Sequence, residues 1–198
     1  MTRPHLEVVA ASASLTTTSD DYLMLAAAED SRAFATLVTR HEAQVRAFCA
    51  LLLGDAGLAR EAAQDVFLRL WRARRSYRPQ GKLKQLVLTI ARNRCRSIRR
   101  RRFWRSLVTN EESATDLLPA PAEVDAADLE VRRLVTVALA KLDDKFRVPL
   151  FLRFFEGLDY DAIAAVIGRT PSAARSRVHY GLRALAALLP EEVRHDLP

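Results

Sequence analysis

A segment at 106–130 contains no lysine or arginine and divides the chain into two parts. It is acidic and includes two prolines, whereas the stretch at 60–105 is crowded with basic side chains and has Glu61 and Asp65 as its only acids. A proline-containing acidic segment between two apolar-periodic stretches is typical of a tether. We therefore predict a flexible leader at 1–19, a helical domain at 20–105, a linker at 106–128 and a second helical domain at 129–198.

The composition favours helices in both domains. The 198 residues include only 6 glycines and 8 prolines, and 49% of them are hydrophobic. Alanine, leucine, arginine and glutamate are abundant, and these residues lose little side-chain freedom in a helix. This hydrophobic content excludes wholesale disorder, so we predict an all-α protein of two small domains.

The hydropathy of the chain gives no sign of a membrane protein. No run of about 18 apolar residues occurs, and the N-terminal stretch is too polar for a signal peptide. We therefore expect a cytoplasmic protein without membrane insertion.

The first domain contains two helices with distinct inner and outer faces. Five apolar residues follow helical spacing in the first of them: Ala63, Val66, Phe67, Leu70 and Trp71. The outer face of this helix then carries Gln64, Asp65, Leu68, Arg69 and Arg72. The second helix has an inner stripe of Leu83, Leu86, Val87, Ile90, Ala91 and Ile98, and an outer face of Gln85, Thr89, Arg92, Asn93, Arg96 and Arg99. Proline and glycine at 76–81 predict a loop between the two helices.

The second domain carries the pattern of a helix-turn-helix. Asp159 is placed to cap a short amphipathic helix that Gly168 ends, and Thr170 caps the next helix with Pro171 at its first position. Two short helices joined by a tight glycine-containing turn are typical of this DNA-binding motif.

The charge of the chain indicates a polyanionic partner. The net charge is +7, and a run of arginines at 99–102 follows the polar outer face of the second helix. On the last helix, polar side chains point outward near its N-terminus, where they could reach base edges and phosphates: Ser172, Arg175, Ser176, His179 and Tyr180. Ordinary solvated helix faces would give the same patterns. Tyr77 is equally compatible with stacking on an unpaired base and with covering the edge of the core.

Catalytic and metal-binding patterns are missing from the sequence. It has no glycine-rich phosphate loop and no nucleophile elbow, and its 4 histidines are scattered. Cys49 and Cys95 are far apart along the chain and form no CxxC or Cys/His cluster, so we expect reduced, partly buried thiols. We predict no enzymatic activity, no cofactor, no metal site and no small-molecule substrate.

Five stretches together resemble the extracytoplasmic-function sigma factors of the sigma-70 family. In the first domain, DVFLRLWRA at 65–73, YRPQG at 77–81 and IARNR at 90–94 resemble region two of that family. In the second, FEGLDYDAIA at 155–164 and SRVH at 176–179 resemble region four. Both sets occur in the family's order, and the resemblance covers about 30–189.

The resemblance implies a function for each surface. One helix face would dock on the clamp helices of RNA polymerase: Gln64, Asp65, Leu68, Arg69 and Arg72. A second surface would recognise the minus-ten promoter element and help to melt it: Tyr77, Arg78, Lys82, Lys84, Thr89, Arg92, Asn93, Arg96 and Arg99. A third would read the minus-thirty-five element: Thr170, Ser172, Arg175, Ser176, Arg177, His179 and Tyr180. It also implies an anti-sigma factor as a partner.

These observations predict a promoter-specificity subunit of bacterial RNA polymerase that supports transcription initiation. A stand-alone helix-turn-helix regulator is the alternative, although such a protein needs a sensor or dimerisation module where this chain has a basic helix. A more distant alternative is an RNA-binding protein that uses the arginine run with steep salt dependence.

Overall fold

A computed structural model describes residues 18–109 and 126–194 of the chain. Within these ranges all regular structure is helical, as predicted. The helices are α1 (Asp20–Ala26), α2 (Ser31–Leu53), α3 (Ala56–Ala73), a 3-10 turn (Arg74–Ser76), α4 (Leu83–Thr109), α5 (Ala126–Lys141), α6 (Asp144–Phe154), α7 (Tyr160–Ile167), α8 (Pro171–Leu188) and α9 (Glu191–Arg194).

The first four helices form one packed bundle. The helices α2, α3 and α4 contact one another pairwise, and the short α1 lies against α2. Side chains of Ser19, Asp30 and Asp55 accept backbone N–H groups at the starts of α1, α2 and α3, where the first turn has no helical partner for them. Gly54 ends α2 in the left-handed conformation with φ of 64°.

The core of this bundle consists of the apolar stripes predicted from sequence, with two corrections. Val66, Leu70 and Leu83 are buried as expected, but Leu86 is exposed, so its place in the inner stripe was wrong. Trp71 lies at the rim of the core, where Phe34 contacts its edge at a centroid distance of 4.9 Å and the Arg74 guanidinium covers its ring at 3.6 Å.

The two cysteines meet inside the same core. Cys49 of α2 and Cys95 of α4 are both buried and free. A hydrogen bond with Cys49 and burial together raise the pKa of the Cys95 thiol. The sequence placed them correctly as unpaired thiols but underestimated their burial, because their proximity depends on how α2 packs on α4.

The helices α7 and α8 follow the predicted capping signals, and α6 has a cap that was not predicted. Asp143, Asp159 and Thr170 accept backbone N–H groups at the starts of α6, α7 and α8. Gly168 ends α7 with φ of 66°, and α7 and α8 pack together as a helix-turn-helix. At Gly181 of α8, an added Cβ would lie 3.1 Å from the side chain of Leu150, so the helix approaches α6 closely.

Helical structure extends into both ends of the segment predicted as a linker. The helix α4 continues to Thr109 and α5 begins at Ala126. The middle of this linker, 110–125, and most of the predicted leader lie outside the described residues. No described helix is both long and apolar enough to cross a membrane.

Candidate nucleic-acid interface

The outer face of α3 combines charge with an exposed apolar residue. Leu68 is 51% exposed beside the charged residues of this face. It borders an open groove of about 470 Å³ between α2 and α3, which Phe34, Val38 and Phe67 also line. Asp65 is ion-paired with Arg94 of α4, so one member of this face is held by the bundle itself.

The loop between the 3-10 turn and α4 presents a polar tip. Arg78 and Lys82 are exposed there, whereas Tyr77 is only partly exposed and packs against the core. The Tyr77 hydroxyl donates a hydrogen bond to the Asp21 carboxylate at 2.5 Å. The tyrosine therefore supports the loop from beneath in this structure.

The outer face of α4 is a cationic surface. Asn93, Arg96 and Arg99 are exposed along it, and together with Ser97, Arg100 and Asp144 they line a crease of about 510 Å³. The hydroxyl of Thr89 donates to the Gln85 carbonyl at 2.7 Å within the helix. Several closely spaced guanidinium groups create the positive potential that phosphate groups seek.

Three residues of the predicted minus-ten surface contact the second half of the chain. Lys84 lies 3.1 Å from the Glu156 carboxylate, Arg92 donates to the carbonyl of Val166 at 3.5 Å, and Arg99 pairs with Asp144. These contacts lie between α4 and the elements around α6 and α7. The two halves therefore pack together over part of the surface predicted to face DNA.

Glu156 is the buried centre of this contact. Its carboxylate accepts hydrogen bonds from Gln44 of α2 and Lys84 of α4, while the Lys84 ammonium also donates to the Glu156 carbonyl at 2.8 Å. Burial raises the pKa of Glu156, although Lys84 and His41 act in the opposite direction. Nearby, the rings of Phe48 and Phe151 stack at 5.4 Å and add an apolar contact between the halves.

The second helix of the helix-turn-helix presents most of its predicted residues to solvent. Ser172, Arg175, Ser176, His179 and Tyr180 are exposed on α8, as is the capping Thr170, whereas Arg177 is only partly exposed. The His179 and Tyr180 rings meet edge to face at 5.6 Å. The N-terminal half of α8 is thus an open, polar and cationic surface.

Sequence reasoning missed residues whose partners are distant along the chain. The guanidinium groups of Arg153 and Arg175 lie 5.0 and 5.1 Å from the centroid of the Tyr160 ring, which thus contacts a side chain of the candidate reading surface. No sequence pattern around Asp21 or Glu156 indicated their roles, because a single acidic residue does not show which distant groups it will contact in the fold.

The comparison with protein families identifies both halves. The family described as Sigma-70 region 2 matches residues 37–117, and the family described as Sigma-70, region 4 matches residues 132–185. RNA polymerase sigma factor CarQ of Myxococcus xanthus is 34% identical over 160 residues, which cover 80% of this chain and 90% of CarQ.

This chain belongs to the extracytoplasmic-function sigma factors. The sigma factor is also 30% identical to SigL of Mycobacterium tuberculosis, over 84% of this chain and 94% of SigL. SigK of Mycolicibacterium vanbaalenii is 30% identical over 96% of this chain and 98% of that protein. The similarity therefore extends over both halves together.

Solved structures have the same fold. CnrH, determined in complex with the cytosolic domain of CnrY, is 25% identical to this sigma factor, with a TM-score of 0.63 over 86% of this chain and 97% of CnrH. RpoE of Bartonella quintana, determined with the anti-sigma factor NepR, has a TM-score of 0.70 over 78% of this chain and 95% of RpoE. At 24% identity, the second likeness concerns the fold alone.

Membership of this family determines the function at the level of the whole protein. The sigma factor is a promoter-specificity subunit of bacterial RNA polymerase, which binds the core enzyme and promoter DNA and supports transcription initiation. Family members regulate initiation without being enzymes. A stand-alone helix-turn-helix regulator is not favoured, since the first half matches Sigma-70 region 2.

Proposed function

We propose that three separate surfaces carry out the sigma function and that the two halves must part for them to act together. The observation that carries this proposal is the position of Lys84, Arg92 and Arg99. These residues belong to the predicted minus-ten surface, yet each contacts the second half of the chain. Promoter DNA needs the same side chains, so binding requires these contacts to break.

The first surface is the polymerase-binding face of α3. Its proposed residues are Gln64, Asp65, Leu68, Arg69 and Arg72. Support comes from the exposure of Leu68 and from the adjoining apolar groove, because a desolvated apolar anchor with charges around it is typical of a protein interface. The ion pair between Asp65 and Arg94 supports a role for Asp65 in fixing the orientation of α3 against α4.

The second surface is the minus-ten surface of α4 and its preceding loop. The cationic face supports phosphate binding, and the exposed loop tip is free to meet an extruded base. Capture of an unpaired base offsets the cost of unstacking it, which is on the order of a few kcal/mol. Arg96, Asn93 and the tip residues Arg78 and Lys82 are the proposed first contacts, since they are exposed even while the halves are packed together.

The third surface is the N-terminal half of α8, which we propose enters the major groove of the minus-thirty-five element. Arg175 is the proposed base-reading residue, since arginine pairs with guanine through two hydrogen bonds. Its contact with the Tyr160 ring supports this role by limiting the orientations of the guanidinium group. Ser172, Ser176, His179 and Tyr180 are the proposed phosphate contacts.

We further propose an anti-sigma factor that stabilises the packed arrangement of the two halves. The structure of CnrH with the cytosolic domain of CnrY supports such a partner for this chain. An anti-sigma factor that bound the packed form alone would keep Lys84, Arg92 and Arg99 in contact with the second half. The proposal also places the protein in the cytoplasm, where promoter DNA and polymerase are found, and gives it no catalytic activity of its own.

Run-off transcription on genomic fragments with purified core polymerase tests the proposed function. Discrete start sites that appear only with the sigma factor, and that give a shared promoter motif, are the expected result. Arg175→Ala should then weaken promoter recognition and leave core binding intact, whereas Asp65→Ala with Leu68→Ala should do the reverse. If both variants lost the same activity, the assignment of separate surfaces would be wrong.

A further inference from the structure

The loop that joins the 3-10 turn to α4 has no regular hydrogen bonding of its own. Residues 77–82 lie outside helices, and all of them except Tyr77 are exposed. Gly81 has φ of 67°, a left-handed conformation that side chains other than glycine rarely adopt. An exposed loop of this kind needs an external contact if it is to keep one conformation.

One carboxylate binds both ends of this loop. The Oδ1 atom of Asp21 accepts the hydroxyl proton of Tyr77 at 2.5 Å, and its Oδ2 atom accepts the backbone N–H of Gly81 at 2.6 Å. Charged acceptors make shorter and stronger hydrogen bonds than neutral ones. The exposed residues at 78–80 therefore lie between two residues, Tyr77 and Gly81, that Asp21 holds in place.

The protonation states of both partners suit this arrangement. The Tyr77 hydrogen bond lowers the pKa of Asp21 most, and the backbone N–H groups of Gly81 and Gln80 lower it further, so the carboxylate stays ionised at neutral pH. Burial and the neighbouring Asp21 raise the pKa of Tyr77 above its usual range, so the phenol keeps its proton. Acceptor and donor thus keep their roles throughout the physiological range.

Asp21 is itself fixed to the body of the bundle. Its neighbour Asp20 accepts from Arg40 and lies 2.8 Å from His41 Nε2, and both of these residues belong to α2. Leu23 and Met24 of the same short helix are fully buried. The loop is therefore attached to the packed core through α1 and not only through its own flanking helices.

We propose that Asp21 is a positioning residue for minus-ten recognition. It holds the 77–82 loop in the conformation that receives the extruded promoter base, without touching DNA itself. This inference rests on the proposed function of the loop. A loop ordered before binding loses less conformational freedom when the base enters, so the restraint increases affinity for the melted strand.

The test uses holoenzyme assembled from core polymerase and full-length sigma factor, with a promoter obtained from the run-off experiment. Asp21→Ala and Tyr77→Phe should each weaken binding to the single-stranded non-template minus-ten strand by roughly tenfold, as expected for loss of a charge-assisted hydrogen bond. The double variant should lose little more than the Asp21→Ala variant, since both changes remove the same interaction. Asp21→Asn should restore part of the affinity, because an amide oxygen still accepts the Gly81 N–H.

Matched measurements separate positioning from a general loss of structure. Core binding and binding to a minus-thirty-five duplex should be unchanged in every variant. Asp30→Ala is the control, since Asp30 also accepts a backbone N–H, from Arg32 at 2.9 Å, but is the cap of α2. Equal loss in Asp30→Ala, or strictly additive losses in the double variant, would overturn the proposal.

A DNA-free measurement distinguishes failure of this proposal from failure of the loop's proposed function. Amide hydrogen exchange at Gly81 should become faster in Asp21→Ala than in the unchanged protein, and unchanged exchange there would refute the restraint. Arg78→Ala with Lys82→Ala alters the exposed loop without removing the restraint. If that variant bound the minus-ten strand normally while Gly81 lost protection in Asp21→Ala, the restraint would exist but the loop would not meet DNA.

Discussion

At the scale of single residues, the face of a helix on which a residue lies decides whether it serves binding or the stability of the fold. Leu68 and Leu70 lie two places apart on α3 and have the same side chain. Leu70 is 1% exposed and belongs to the core, whereas Leu68 faces solvent beside the apolar groove. Their different surroundings make them a matched pair for testing the polymerase-binding face.

Leu70→Ala should destabilise the protein by about 2–5 kcal/mol, because it removes buried methyl groups and leaves a cavity. Leu68→Ala should change stability by no more than about 0.5 kcal/mol but should weaken core polymerase binding. Urea denaturation and fluorescence anisotropy with labelled sigma factor measure the two effects. Comparable destabilisation by both changes would contradict the assigned orientation of α3.

The buried thiols lead to a second prediction at this scale. Iodoacetamide reacts with thiolates, and both the burial of Cys95 and its hydrogen bond with Cys49 oppose thiolate formation. We expect neither Cys49 nor Cys95 to be alkylated in the folded protein within an hour, and both to be alkylated in denaturant. Mass spectrometry of the intact protein distinguishes these outcomes, and rapid labelling without denaturant would show that the α2–α4 contact opens readily.

At the scale of elements, short-range capping signals fix where the helices of the DNA-reading motif begin and end. Thr170 accepts the Ala173 N–H at the start of α8, and Asp159 accepts the Ala162 N–H at the start of α7. Each signal lies within three residues of its partner, so the sequence predicted both helix starts. The end of α4 had no such signal, and that helix continues beyond the predicted boundary at Arg105.

Removal of the α8 cap should affect both stability and minus-thirty-five binding. Thr170→Ala should cost about 1 kcal/mol, since it leaves the Ala173 N–H without its side-chain partner. Thr170→Ser keeps the hydroxyl group and should cost much less. Thermal denaturation followed by circular dichroism, together with duplex binding, tests this pair. Equal effects of the two substitutions would indicate that the threonine methyl group matters more than the cap.

At the scale of the whole molecule, the two halves are joined by polar contacts around a buried acid. Glu156 meets Gln44 and Lys84, while Phe48 stacks on Phe151 alongside. The contact combines apolar packing, since buried residues of both halves form one core cluster, with ionic groups that DNA can compete for. DNA binding would therefore have to replace the ionic contacts and also separate the apolar packing between the halves.

Loss of the Glu156 side chain should favour the open arrangement. Glu156→Ala removes the partners of Gln44 and Lys84 and should weaken the contact by about 1–2 kcal/mol, allowing for the partial exposure of Lys84. We expect a larger radius of gyration in small-angle X-ray scattering and tighter binding of minus-ten single strands by the free protein. Glu29→Ala, at an exposed position on the same chain, is the control. No change in the radius of gyration would show that the remaining polar and apolar contacts are enough to hold the halves together.

The raised pKa of Glu156 predicts how the packed arrangement depends on pH. Because burial raises this pKa in the packed form, that form binds a proton more strongly than the open form does. Packing should therefore be favoured below the raised pKa and weaken as the pH rises through it, above the usual glutamate value of about 4.3. Lys84 and His41 also face this carboxyl, and His41 in turn contacts Asp20. Scattering profiles across this pH range should show the transition, and an identical transition in Glu156→Gln would assign it to another group.

The sequence by itself determined the all-α class, the capping residues of α7 and α8 and the cationic character of α4. These properties follow from interactions between residues a few positions apart, which periodicity and capping patterns report directly. Only the tertiary structure decided which polar side chains already form hydrogen bonds or ion pairs within the protein. Asp21 meets Tyr77 across 56 positions and Gln44 meets Glu156 across 112, and such contacts depend on the packing of distant helices, which no local pattern encodes.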